Sequence, residues 1–312
     1  MSGESLQSGQ RPKLNLNHLA VFQVVADCGG IRAAARQLGF TQPAVTYVVR
    51  ELERSVGAEL VHRGSKGVVL TELGVALYRR AQLLLSEMRR TEDELEQLRE
   101  GTGGSLCVAF SSGAAMRLMV PSLNRFRRLR PGVHLELHEI TVIGWQKPWQ
   151  SGVYDLAVIS ELDDVESDDG LQRQLLFTSP MVVTAREGHP LAGARSLLDL
   201  RSCTWVMPGY GPQLMARLLR RLGASPPQDM MLCQSLQFSL SILRGSDTLT
   251  LYSSALHEDP LVFGGLVGIP VQERLPSLRV SLVVRNPASL TPAARLFIQC
   301  LSEESLDVLS KA

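Results

Sequence analysis

The first seventy residues carry short blocks of apolar positions at helical spacing, broken by glycines, hydroxyls and one proline. Leu19, Val21, Phe22, Val25 and Ala26 share one side of a helix predicted over residues 18–28, with Asn17 as its cap. Gly29-Gly30 is a turn, with glycine rather than a hydroxyl residue in the capping position before the next helix. That second helix spans residues 31–38, its three consecutive alanines leaving a face without bulk, and Gly39 ends it. Thr41 then caps a third helix running to about residue 53, with Pro43 tolerated in its first turn. Ala44, Val45, Val48, Val49 and Leu52 are assigned to its buried side, Gln42, Thr46, Tyr47 and Arg50 to the other. A turn over 55–59, a short strand at Leu60-Val61, a tip from Arg63 to Gly67 and a returning strand over 68–70 complete a hairpin.

The period then changes. Thr71 caps a long helix, and Leu77, Ala81, Leu84, Met88, Thr91, Leu95 and Leu98 alternate four and three apart, a heptad seam suited to a second copy of itself. Arg89-Arg90 and Glu92-Asp93-Glu94 read as a solvated face with helix-spaced ion pairs. After the glycines at 101, 103 and 104, buried strands alternate with helices: strands over 106–110, 133–140 and 155–159, helices over 115–129 and 145–150. This alternation predicts a parallel sheet flanked by helices. From about 177 a second lobe holds strands near 181–184, 204–207, 231–233 and 248–252 and helices near 213–222 and 236–244. A return strand over 280–285 and a last helix capped by Thr291 rejoin the first lobe.

The resulting organisation is a polar tail over 1–13, a small helical domain over 14–71, a linker helix over 72–100, a hinge over 101–104 and an α/β domain over 105–312. The lobes of the last are 105–176 with 276–312, and 177–275.

Composition narrows this only a little. At 45% hydrophobic residues the chain can fill several cores, and a net charge of +1 excludes a generally basic protein. DNA binding would rest on a local patch: over residues 14–71, Arg32, Arg36, Arg50, Arg54, Arg63 and Lys66 face Asp27, Glu51, Glu53 and Glu59. No apolar run is long enough to span a bilayer and no charged-then-apolar signal opens the chain, so a cytoplasmic location is expected. Cys28, Cys107, Cys203, Cys233 and Cys300 are scattered, as reduced core residues would be; none has an adjacent basic residue that would activate it for redox sensing.

The chemistry sits in two places. A helix showing Gln42, Thr46, Tyr47 and Arg50 suits base edges and phosphates in a major groove, with Arg63 and Lys66 of the hairpin reaching phosphates or the minor groove. The order Ala33-Ala34-Ala35-x-x-Leu38, Thr41-Gln42-Pro43-Ala44-Val45-Thr46, Leu52-Glu53, Leu60-Val61-x-Arg63 and Gly67-Val68-x-Leu70-Thr71-x-x-Gly74 resembles the LysR-type transcriptional regulators. The motifs cover residues 14–99, and the remaining length matches more loosely. The resemblance implies a multidomain α and α/β fold. Its parts are an N-terminal winged helix-turn-helix, a long linker and dimerisation helix, and a C-terminal two-lobed α/β domain like the type 2 periplasmic binding proteins. It also implies promoter DNA as partner, a homodimer and then a homotetramer, contact with RNA polymerase, and a small-molecule effector. DNA contacts would come from Arg32, Thr41, Gln42, Pro43, Ala44, Thr46, Tyr47, Arg50, Arg63 and Lys66. Arg32 departs from the small hydroxyl residue many relatives carry, and as a cation at a helix start it needs a phosphate to answer it.

In open sheets ligands bind beyond the carboxyl ends of the strands. Those ends carry Ser111, Ser112, Thr141 and Ser160 in the first lobe and Gly209, Gly211 and Ser235 in the second, with helix N-termini that would suit an anion. A small organic acid is therefore the expected effector, although each hydroxyl could equally cap a helix. His134, Glu136 and His138 share one face of a strand, read as its polar outer side rather than a metal site for want of a fourth ligand. No cofactor is expected, and His189-Pro190 reads only as a turn. Nucleophile, dinucleotide and phosphate-loop motifs are absent, which argues against an enzyme. The competing reading is a solute-binding or enzymatic α/β protein with an accessory helical domain.

Overall fold

The computed structural model describes residues 14–64, 67–100, 103–111, 114–140, 149–163, 171–208, 211–257 and 263–310. The chain forms two compact units, residues 1–92 with 147–153, and residues 93–146 with 154–312.

The first unit begins with α1 (Leu16–Asp27), α2 (Ile31–Leu38) and α3 (Gln42–Val56). The cap of α1 is Asn15, whose side chain accepts from the Asn17 backbone N–H at 2.8 Å, and not Asn17 as the sequence suggests. Two asparagines separated by one residue offer the same chemistry, and the helix starts slightly earlier than its apolar stripe requires. Helix α2 and its Gly39 stop, in the left-handed region at φ 67°, fall where predicted. Helix α3 runs to Val56, past the expected end, and absorbs the start of the predicted turn before Gly57 closes it at φ 78°. Leu19, Phe22, Val25, Ala34, Val45, Val49 and Leu52 form one core. Ala44, assigned to that core from the sequence, is exposed instead.

Strands β1 (Val61–Gly64) and β2 (Gly67–Leu70) pair antiparallel as the wing. The wing is tied down at both ends. Glu53 at the end of α3 accepts from the backbone N–H groups of Leu60 and Val61 at 3.0 and 3.3 Å, and Val68 donates to Gly29 O at 2.8 Å. A Cβ on Gly67 would lie 2.5 Å from that Gly29 carbonyl, and its φ is +118°, so only glycine closes the contact. Helix α4 (Glu72–Glu100) follows, capped by Thr71, whose hydroxyl accepts from Gly74 N at 2.9 Å. Ala81, fully buried, and Leu77, Tyr78 and Leu85, partly so, join the first core; the Tyr78 hydroxyl donates to Asp27 and accepts from Gln82. Arg90 corrects the picture of a solvated face. It is 7% exposed, paired with Glu87 at 2.6 Å and donating to the Gly152 carbonyl at 3.0 Å.

In the second unit β3 (Ser105–Ser111), α5 (Ala114–Leu129), β4 (His134–Ile140) and β5 (Leu156–Leu162) form the expected parallel arrangement, with β3 between β4 and β5. The rest of the sheet is not parallel. Strand β6 (Arg173–Arg186) and the later β9 (Thr250–Ser253), β10 (Leu266–Ile269) and β11 (Ser277–Val284) enter antiparallel, giving the order β10-β6-β11-β5-β3-β4 with β9 also on β6. Strand direction depends on where the chain returns, which local alternation does not encode. The crossing predicted near Phe177 is a strand that never breaks: β6 pairs with β11 up to Pro180 and with β9 from Met181. A separate parallel pair, β7 (Trp205–Met207) and β8 (Met230–Leu232), is interleaved along the chain with α6 (Gly211–Arg221) and α7 (Leu236–Gly245), and the short α8 (Ser254–His257) packs on β6. The final helix α9 (Pro292–Ser310) packs on α5, Phe126 meeting Phe297 edge to face at 5.4 Å. The last turns of α4 belong to this unit too. Asp93 accepts from the Ser105 hydroxyl at 2.7 Å, and Gln97 accepts from Ala293 N at 2.9 Å. Among the described residues no helix is long and apolar enough to cross a membrane.

Candidate DNA interface and effector site

The N-terminal half of α3 stands clear of its core. Gln42, Pro43, Ala44, Tyr47 and Arg50 are exposed, Tyr47 at 62%, while Thr46 is half-buried. Thr41 acts locally, its hydroxyl accepting from Ala44 N at 3.4 Å. Arg32 lies within reach of the same helix start, its Nε donating to the Gln42 side-chain oxygen at 3.1 Å. Since a guanidinium only donates, the Gln42 side-chain oxygen is the end engaged by Arg32. The sequence places both residues at the interface but does not reveal that they touch. Arg63 lies on β1, with its side chain outside the described residues, as is Lys66.

The seam along α4 divides in two. Leu77 and Ala81 are used within the first unit, whereas Leu84, Met88, Leu95 and Leu98 are 46, 37, 62 and 69% exposed. Leu84 and Met88 in the first unit, and Leu95 and Leu98 in the second, are thus apolar side chains at heptad spacing left exposed among the described residues.

These elements carry three short helices, a two-stranded wing and a long helix, and the sequence comparisons name the combination. The pattern described as the bacterial regulatory helix-turn-helix of the lysR family matches residues 16–75, and the LysR substrate binding domain matches residues 99–305. The chain belongs to the LysR family of transcriptional regulators. It is similar to the HTH-type transcriptional regulator TdcA of Escherichia coli K12, with 27% identity covering 92% of each chain. It is also similar to the RuBisCO operon transcriptional regulator of Allochromatium vinosum, at 30% identity over 94% of this chain and 97% of that one. Among solved structures, full-length CbnR complexed with its target DNA shares the fold with a TM-score of 0.66 at 17% identity, covering 93% of this chain and all of that one. As a LysR-type regulator the chain is a DNA-binding protein with an effector-binding domain, and the family is one of regulators and not of enzymes.

Within the effector-binding domain, the predicted residues do not behave alike. Ser111 ends β3 and Ser160 lies in β5; both are buried, and the Ser111 hydroxyl donates to that of Ser160 at 2.9 Å. Ser235 is exposed and caps α7, accepting from Phe238 N at 3.2 Å. Gly211 opens α6 in a buried position where a Cβ would strike Met207, and its N–H is already given to Pro208 O at 2.7 Å. Ser112, Thr141 and Gly209 lie outside the described residues. A second hydroxyl cluster has no counterpart in the sequence pattern. Ser179 accepts from Ser253 at 2.7 Å and from Ala255 N at 3.0 Å, and lies 3.1 Å from the Ser254 hydroxyl, beside the point where β6 changes partners. Serines on strands separated by more than seventy residues carry no common spacing, so only the pairing reveals them. A cavity of about 280 Å³ lies near the second crossing, lined by Asp163, Leu218, Arg221, Arg274, Leu275 and Pro276. Both its arginines are exposed, so it is a solvent-open notch, and it includes none of the predicted residues.

Proposed function

We propose that this LysR-type regulator binds promoter DNA as a homodimer joined through α4, assembles further into a homotetramer that engages RNA polymerase, and answers to a small organic acid held between the lobes of the effector-binding domain. The observation that supports dimerisation is the exposed stripe of Leu84, Met88, Leu95 and Leu98. On DNA, α3 lies in the major groove. Gln42 and Thr46 discriminate bases, Tyr47, Pro43 and Ala44 pack against the groove wall, and Arg32, Arg50, Arg63 and Lys66 hold phosphates. With its carbonyl engaged by Arg32, Gln42 presents donors, which favours the N7 and O6 acceptors of guanine or O4 of thymine over a bidentate contact with adenine.

For the effector, the Ser111–Ser160 pair supports the choice of an acid. Ser111 spends its proton on Ser160, so the Ser160 O–H is available to a carboxylate oxygen. Ser112, Thr141, Gly209 and Gly211 contribute further polar groups around the cleft, while Ser235 borders it as a cap. Domain limits follow the same scheme, 14–71, 72–100 and 105–312, with residues 101–104 as hinge. Effector binding changes the DNA footprint or bend more than the affinity, by favouring one arrangement of the paired winged helices.

The test combines a mobility-shift titration on the protein's own upstream DNA with sedimentation. Salt-sensitive, sequence-specific retardation by a dimer or larger assembly is expected, and L95E/L98E should sediment as a smaller species with weakened binding. A folded wild-type protein that fails to retard that DNA even at low salt would overturn the DNA reading. An unchanged assembly in L95E/L98E would overturn the role of the α4 stripe.

A further inference from the structure

A cluster of soft and hard metal donors lies on strands β3 and β4, away from the Ser111–Ser160 pair. Cys107 and Glu136 are direct partners in the parallel register, and His138 follows two residues on, on the same face of β4. The Cys107 sulfur, a Glu136 carboxylate oxygen and a His138 ring nitrogen all lie within 4.8 Å of one another. The strand sequence by itself offers His134, Glu136 and His138 no further ligand; the neighbouring strand supplies it as a thiol.

Two details separate this from an ordinary surface ion pair. His138 Nε2 stands 3.6 Å from Glu136 Oε2, and His134 Nε2 stands 3.8 Å from Oε1. Both distances are too long for a hydrogen bond. They match the roughly 3.5 Å separation that bond lengths of about 2.0–2.3 Å impose on neighbouring donors around a tetrahedral zinc. The donors are also held in place. Cys107 is 6% exposed, its N–H donates to the Asp155 carboxylate at 2.8 Å, and its carbonyl accepts from Asp155 N at 2.9 Å. The buried Tyr154 ring lies 5.5 Å from the His138 ring. Glu136 and His138 are about half exposed, which gives an ion a path in from solvent.

We propose that Cys107, Glu136 and His138 form a binding site for a borderline-soft divalent cation of the zinc class, with water in the fourth position. One thiolate, one imidazole and one carboxylate suit zinc better than calcium or magnesium, which take oxygen ligands. Binding replaces the Cys107 S–H bond by a sulfur–metal bond and releases the proton to solvent. The ion links β3 to the edge strand β4 through side chains.

The experiment titrates the reduced full-length protein with cobalt(II), a spectroscopic stand-in for zinc, and then displaces it with zinc. One equivalent per chain is expected, with a thiolate-to-cobalt charge-transfer band in the near ultraviolet and the intense visible bands of a four-coordinate ion. C107S should lose the charge-transfer band. E136Q and H138A change exposed side chains, so they test the site even if C107S folds poorly, and each should weaken binding by at least about tenfold. Absence of a thiolate band, a band that survives in C107S, or wild-type affinity in both E136Q and H138A would overturn the site.

Discussion

The DNA-binding unit and the effector-binding domain differ in where their candidate polar groups take their positions from. In the first, Thr41, Gln42, Tyr47 and Arg50 lie within three turns of one helix, and their exposure follows from the period of that helix and the burial of Val45 and Val49. In the second, Ser111 reaches Ser160 across 49 positions of sequence and Ser179 reaches Ser253 across 74. A site on one helix is specified by local chemistry. A site at strand ends is specified by the register of a whole sheet.

The comparison can be broken most sharply at the packing of the first unit. A Cβ on Gly74 would lie 2.0 Å from the Leu60 carbonyl, so α4 approaches the backbone just before β1 more closely than any side chain allows. Gly74→Leu should destabilise the DNA-binding unit by about 3 kcal/mol, read by thermal or denaturant unfolding. A stability equal to wild type would show that the close approach at Gly74 does not constrain the unit. Next in size, Gln42→Ala should cost roughly 1–3 kcal/mol at one base and flatten preference there, measured by binding to a randomised site library. Arg32→Ala should shift that preference towards adenine, because the freed carbonyl restores bidentate pairing. An unchanged preference in both variants would dissociate Gln42 from readout.

Ser160→Ala should weaken effector response by about 1 kcal/mol, the worth of one hydrogen bond, with basal DNA binding intact. A candidate acid is found first by its stabilisation of the folded protein in a thermal-shift screen. Loss of DNA binding in the same variant would mean that the two regions are not separable. Lys66→Ala should lower the salt slope of DNA binding by about one unit with no change in base preference.

The smallest effect concerns pH. Burial lowers the pKa of His257, which shares a 2.9 Å hydrogen bond with Thr184. A depressed imidazole pKa gives stability that is present above the ordinary value of about 6.5 and is lost as pH falls through the folded value. The melting temperature of the effector-binding domain should therefore fall on mild acidification, and His257→Gln should reduce that dependence. The Tyr78 hydroxyl, pushed up to about 12 by burial and its bond to Asp27, gives the opposite signature in the other unit. Its stabilisation persists below about pH 10 and is lost as alkali titrates it.

How far the sequence is readable follows the same division. Helix α2, its glycine stop, the Thr41 and Thr71 caps and the wing are legible because each depends on residues within a turn or a hairpin. Asn15 and Asn17 are hard to tell apart because either can cap. The burial of Arg90 is hidden because its acceptor, Gly152, comes 62 residues later. Strand β10 escapes notice because Leu-Val-Gly-Ile has a glycine in its middle and too few residues to alternate. The mixed sheet, the Ser179 cluster and the meeting of Cys107 with Glu136 all require strand partners that periodicity does not name.

The last turns of α4 bear on how such regulators are recombined. Asp93 and Gln97 lie before the glycines at 101–104, yet they bond to Ser105 and Ala293. A chimera that joins a foreign DNA-reading module at those glycines would strip the transplanted domain of two side-chain anchors and replace them with unmatched ones. Moving the splice upstream of Asp93 carries the anchors along with the cargo. The practical seam for modular engineering is therefore inside the long helix, and the choice of a junction a few residues either way decides whether a hybrid sensor keeps its footing.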